Sequence, residues 1–274
     1  MRPRALPKLA SRPESELLEE LSKGLALIAE HVATLEAAIK KVDLGRANVA
    51  IRVVSDDEAG KYLILLDVAR CARTKEELKS RQLKRAYSHL ARGIYARVTE
   101  MRPASFGELL GYVKPLRLSH YLDGPNDIDW IFRNEVEAHR EERLYVDFVE
   151  TDEGDEWQTP QSWDGLGVDP PSDAAELVAS LHRTGFSTPK GLEIVADLWE
   201  SFVPDPEMRW SETEELSIEA LTRLGQVHEA EFADADLARI VRTWTFPLCH
   251  VELDKIFVDV DKLRQRQENW DPDL

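Results

Sequence analysis

The chain has 274 residues, enough for one large domain or two small ones, and 43% of them are hydrophobic, enough for a substantial core. Its net charge of −17 excludes a uniformly basic nucleic-acid binder, and the sequence holds no apolar run of about 18 residues, which excludes a helix long enough to cross a membrane. Glycine and proline are sparse at 13 and 14, which favours helix over sheet.

The N-terminal stretch MRPRALPKLASRPESE is basic without an apolar signal-peptide core and reads as a lead-in. Residues 14–42 place Leu17, Leu18, Leu21, Leu25, Ile28, Val32, Leu35 and Ile39 at three- and four-residue steps, so the spacing predicts an amphipathic helix, with DLG at 43–45 as its stop. A second helix is expected over 46–72. Its apolar ends are separated by SDDEAGK, whose charges must be paired or face water. Glu58 and Lys61 are three apart and suit an ion pair that ties helices together. A third helix is expected over 75–101, followed by a loop-rich piece, and a fourth over 126–143 that ends in RLYVD, where Tyr145 and Asp147 suit a turn anchoring the helix end.

Residues 150–172 are acidic and rich in Gly and Pro and read as a linker. Beyond it, Ser172 caps a helix over 173–184, Thr188-Pro189 starts one over 189–202, and Ser211 with Glu214 makes a capping-box pattern ahead of 212–232. Two more are expected over 234–245 and 248–268. The expected fold is all-α: an antiparallel helical bundle over 14–150, a linker over 151–172, and a smaller acidic helical part over 173–274.

Charge is unevenly distributed. Residues 70–102 hold ten Lys and Arg against three Asp and Glu, whereas 144–274 hold ten against thirty. A basic segment on an acidic protein can bind a polyanion locally, and Lys84, Arg85 and Arg92 are the candidates to track an RNA backbone. The bland alternative is a solvated helix face. The two cysteines, Cys71 and Cys249, form no CxxC or zinc pattern, and a reducing cytosol is the expected compartment.

No Glu-x-x-His pair recurs on two helices, so no bundle metal centre and no cofactor is expected. G-x-S-x-G, the P-loop and G-x-G-x-x-G are all absent from the sequence. What remains is an Arg–His spacing. With 7 histidines in the chain, chance supplies about two such pairs. Two occur: Arg133 with His139, and Arg223 with His228. Only the first carries a polar neighbour, Asn134, and sits near a helix start able to offer N–H groups to an anion.

Three segments in order, RANVAIRVVSDDEAGKYLILLDVAR, YSHLARGI and REERLYVDFVETDEGDEWQTP, resemble the AbiV-type abortive-infection proteins of the HEPN helical superfamily over roughly 15–160. The sequence departs from that pattern at DEAGK, where Asp57 stands in place of the first of two glutamates. RNEVEAH matches the Arg, polar, four residues, His arrangement of the superfamily's ribonucleases at Arg133, Asn134 and His139. The resemblance implies metal-independent RNA cleavage in phage defence. His139 would serve as base, Arg133 would oppose charge on the phosphate, and Asn134 would orient either one. His89, a lone histidine close to Tyr87, reads as structural rather than catalytic.

Six residues on a regular helix turn through a net angle of about 120°, so one helix does not aim Arg133 and His139 at one point. A homodimer with two motifs facing each other is therefore expected, with an inhibitor or a phage-derived trigger as further partners. Two alternatives stay open. The chain could be a non-catalytic helical module that binds a protein or nucleotide. Equally, its acidic C-terminal part could mimic RNA and hold the cleft shut.

Overall fold

A computed structural model describes residues 4–41, 46–122, 130–151, 154–160 and 172–269. The expected stop at 43–45, the start of the fourth helix at 126–129 and most of the linker, 161–171, lie outside the described residues. What is described is a helical bundle with two short hairpins, and the all-α expectation holds.

Helix α1, Glu14–Ile39, buries the expected stripe from Leu17 to Ile39, with Leu35 half-buried, and packs on α2, Arg46–Arg70. Helix α2 is the central element and touches helices from both halves of the chain. Its interior charges resolve as the sequence requires. Glu58 pairs with Lys61 at 3.2 Å, Asp57 meets His89 and Arg92, and Asp56 enters a cleft.

The third expected helix is two: α3, Glu76–Arg85, and α4, His89–Met101. The break is stable because both open ends find partners. Ser88 Oγ accepts from the Ala91 N–H at 3.2 Å, and Arg92 donates to the Ala86 carbonyl. The loop-rich piece contains α5, Phe106–Leu116, which Ser105 caps: its hydroxyl accepts from the Glu108 N–H, and the Glu108 carboxylate accepts from the Ala104 N–H just outside the helix. Strands β1, Tyr121–Leu122, and β2, Trp130–Ile131, pair antiparallel ahead of α6, Glu135–Leu144.

The expected linker opens not as irregular chain but as a hairpin of β3, Asp147–Thr151, and β4, Gly154–Gln158. Cross-strand packing of Phe148 against Trp157, centroids 5.1 Å apart, favours pairing there over coil.

Helices α7, Asp173–Arg183, α8, Pro189–Trp199, α9, Trp210–His228, and α10, Asp234–Thr243, follow, with Ser172 and Thr188 as caps. The helix expected over 248–268 is confined to α11, Val260–Glu268. Before it, a short 3-10 turn at Leu248–His250 leads into extended backbone that pairs with 117–119: Ile256 donates to the Arg117 carbonyl at 2.7 Å and Ser119 donates to the Ile256 carbonyl at 2.9 Å.

The core does not divide at the linker. One hydrophobic cluster runs from Ala10 to Leu253, with α7 and α8 packed on α1 and α2. A buried polar network joins the halves. Asp67 Oδ2 accepts from Tyr95 Oη and from the Leu248 N–H, each at 2.8 Å. Arg70 donates to the Trp244 carbonyl at 2.8 Å and lies 3.5 Å over the Trp244 ring. Burial raises the Asp67 pKa and lowers that of Arg70 to about 10.

Candidate active site

Helices α2, α4 and α6 and the start of α7 enclose a cleft of about 280 Å³. Its polar lining comes from all of them: Asp56 and Asp57 of α2, His89, Arg97 and Glu100 of α4, His139, Arg140 and Arg143 of α6, and Ser172 ahead of α7. Two glycines let the helices meet. A Cβ on Gly60 would lie 2.2 Å from the Arg92 carbonyl oxygen, and one on Gly93 would lie 2.3 Å from Val136 Cγ1. The first contact brings Asp57 to α4, and the second brings His139 to Arg97.

Arg97 Nη2 lies 2.9 Å from His139 Nδ1. A guanidinium only donates, so Nδ1 is the acceptor and the proton of the neutral ring sits on Nε2. Burial, then the Arg97 charge, hold the His139 pKa below the usual imidazole value, and Glu142 and Glu135 work against that shift. Tyr121 packs edge-on against the ring.

Asp57 and His89 form the facing pair. His89 Nδ1 is 2.9 Å from Asp57 Oδ2 and 3.1 Å from Oδ1, and Arg92 donates to the same Oδ2 at 2.9 Å. Asp56, deeper in, has its carboxyl pKa raised to about 6 by burial, with the Ser172 hydroxyl and the Arg52 and Arg143 charges opposing the rise. Asp56 Oδ1 and Arg140 Nε have no hydrogen-bond partner among the described residues.

The expected site residues separate. His139 lines the cleft. Arg133 does not: it precedes α6 and donates to Glu141 of that helix at 2.5 Å. Asn134, 3% exposed, is the N-cap of α6; its Oδ1 accepts from the Glu137 N–H, and its Nδ2 donates to the carbonyls of Leu116 and Leu118. That structural duty leaves it no free amide hydrogen for a substrate.

Of the three basic residues expected on RNA, Lys84 is exposed beside a second cleft. Arg85 is 6% exposed and donates to the carbonyls of Leu248 and Val251. Arg92 holds Asp57 and the end of α3. Glu58 and Lys61 pair along α2, with Arg92 3.8 Å from Glu58, so that pair does reach a second helix. The Tyr145 ring is 57% exposed, and only its backbone closes α6, by donating to the Glu141 carbonyl.

Spacing along one helix could reveal Arg143, four residues on from His139. It could not reveal Arg97, which lies 42 residues away.

Among the described residues no three His, Cys, Asp or Glu side chains converge as a metal-ligand set, and no helix is long and apolar enough to cross a membrane. The fold and cleft thus define a class, a helical bundle with a histidine–arginine cleft. In comparisons with known proteins, no family model, no curated protein and no solved structure matches this chain.

Proposed function

We propose that the chain is a metal-independent endoribonuclease of the HEPN kind, acting on cytosolic RNA as an abortive-infection effector in phage defence. The observation that carries this reading is the cleft in which His139 stands among Arg97, Arg140 and Arg143. RNA self-cleavage needs a base for the ribose 2′-OH and positive charge for the phosphorane. Three guanidiniums suit that charge, and their planar forks match phosphate oxygens.

His139 is the base in this reading, with a condition the motif alone did not suggest. Its Nδ1 lone pair is held by Arg97, 2.9 Å away. An incoming phosphodiester competes for that guanidinium. As Arg97 turns to the phosphate, Nδ1 becomes available and the opposing charge is neutralised, so the base is unmasked only with substrate in place. The expected homodimer followed from the need to bring a cation to His139. Arg97 supplies one within the chain, so our reading places the reaction in a single protomer, with no catalytic task for Arg133 or Asn134.

The test is cleavage of total RNA by wild type and His139→Ala, together with growth after induction. Wild type should degrade RNA and slow growth, and the variant should do neither. Equal cleavage by both would remove His139 from the reaction. Equal tolerance of both, without cleavage, would favour the non-catalytic binding module.

A further inference from the structure

We infer that His89, oriented by Asp57, is the second proton carrier of the cleft: the general acid that protonates the leaving 5′-oxygen. The inference rests on the ribonuclease reading and extends it to a residue outside the Arg–His motif.

The geometry is specific. His89 is the first residue of α4, fixed there by the Ser88 cap. A carboxylate only accepts, so His89 Nδ1 carries its hydrogen toward Asp57, 2.9 Å away. Asp57 is itself fixed by Arg92, whose guanidinium also grips the Ala86 carbonyl. The contact Gly60 makes with the Arg92 backbone sets the spacing of the two helices that carry the pair. The ring is 48% exposed at the side chain, against 13% for Asp57, and it lines the same cleft as His139. A surface ion pair would need none of this scaffolding.

The two histidines also differ in the way a base and an acid must. His139 faces a cation and is kept neutral. His89 faces an anion, the Asp57 carboxylate, with Nδ1 2.9 Å from Oδ2.

The step balances within the substrate. The ribose 2′-oxygen forms a bond to phosphorus and its proton passes to His139. The bond from phosphorus to the 5′-oxygen breaks, and that oxygen takes the Nε2 proton of His89. The products are a 2′,3′-cyclic phosphate and a 5′-hydroxyl, with no oxidant or further reactant.

A substrate whose leaving group needs no proton separates acid from base. The 3′-(4-nitrophenyl phosphates) of the four ribonucleosides and the corresponding dinucleotides are to be assayed with wild type, His89→Ala, His89→Gln and His139→Ala. Removing a general acid should slow dinucleotide cleavage about 10²–10⁴-fold. His89→Ala and His89→Gln should show that loss on dinucleotides yet stay within about five-fold of wild type on the nitrophenyl esters, whereas His139→Ala should fail on both.

Asp57→Asn, a change at a positioning residue, should move the alkaline limb of the dinucleotide pH–rate profile. Equal losses for the His89 variants on both substrates, or no loss on either, would overturn the assignment while leaving the ribonuclease in place. A wild type inert on both substrates would overturn the ribonuclease reading and this inference with it.

Discussion

Gly93 and Val136 lie in direct contact, with the place of a Cβ on Gly93 only 2.3 Å from Val136 Cγ1. This approach seats α6 on α4 and puts His139 against Arg97. A methyl at 93 must push a stiff β-branched side chain, so Gly93→Ala should destabilise by about 1–3 kcal/mol and lower RNA cleavage. Val136→Ala makes room, so the double variant should be more stable than the two losses added together. Urea midpoints of the four proteins measure the coupling, and simple additivity would show that the contact does not set the helix spacing.

Arg97 should control the titration of His139. Burial is the larger cause of the lowered pKa and the Arg97 charge the next. Arg97→Ala should therefore raise the His139 pKa part of the way toward the usual imidazole value, as followed by the ring proton resonance against pH. An unchanged titration would mean that the guanidinium is not the partner of Nδ1.

Asp56 should make the wild type less stable as pH rises from about 4 to 7. Its folded pKa, about 6, lies above the unfolded value near 3.8. The folded state therefore holds the proton more tightly between those values, and the stability this gives is full below the unfolded pKa and lost as pH rises through the folded one. Two units correspond to about 3 kcal/mol as an upper figure. Asp56→Asn should therefore gain on wild type at pH 7.5 and show no such gain at pH 4. Denaturant unfolding at both pH values tests this, and an advantage independent of pH would contradict it.

Arg70 should be essential to joining the two halves. Its removal leaves Asp67 buried without its cation and takes the guanidinium off Trp244, which should cost about 3–5 kcal/mol. By the same logic, deletion of 161–274 should yield insoluble or unfolded protein rather than an unmasked enzyme, because it strips the partners of Asp67, Arg70 and Arg85 from the core. Thermal unfolding of Arg70→Ala and the solubility of the truncated chain test the two statements. A soluble, cooperatively folded 1–160 fragment would refute the joint core.

Much of the bundle was legible because its signals are local. The leucine stripe of α1, the Ser172 and Thr188 caps and the Glu58–Lys61 pair of α2 all act within a few residues. The break at Ser88 and the helix at 106–116 are equally local, each opened by a Ser cap. The Ser105 cap is masked by Gly107, Gly111 and Pro115, and the Ser88 cap by the surrounding helical period.

The 251–259 stretch is different. It is extended because distant backbone at 117–119 and the Arg85 guanidinium use its polar groups, which no window of sequence contains. The site divides in the same way. RNEVEAH located His139, but the same motif misled at Arg133 and Asn134, where an ion pair and a helix cap use the residues locally. The partners that give His139 and His89 their character, Arg97 and Asp57, come from other helices.

The most direct test of the account is the chemistry of the ends produced from a defined RNA oligonucleotide, incubated with wild type in the presence of a chelator beside its 2′-O-methyl counterpart. Wild type should give fragments ending in 2′,3′-cyclic phosphate and beginning with 5′-hydroxyl, with none from the 2′-O-methyl strand and none from His139→Ala. An intact RNA strand, cleavage that needs added metal, or fragments with 5′-phosphate ends would contradict it.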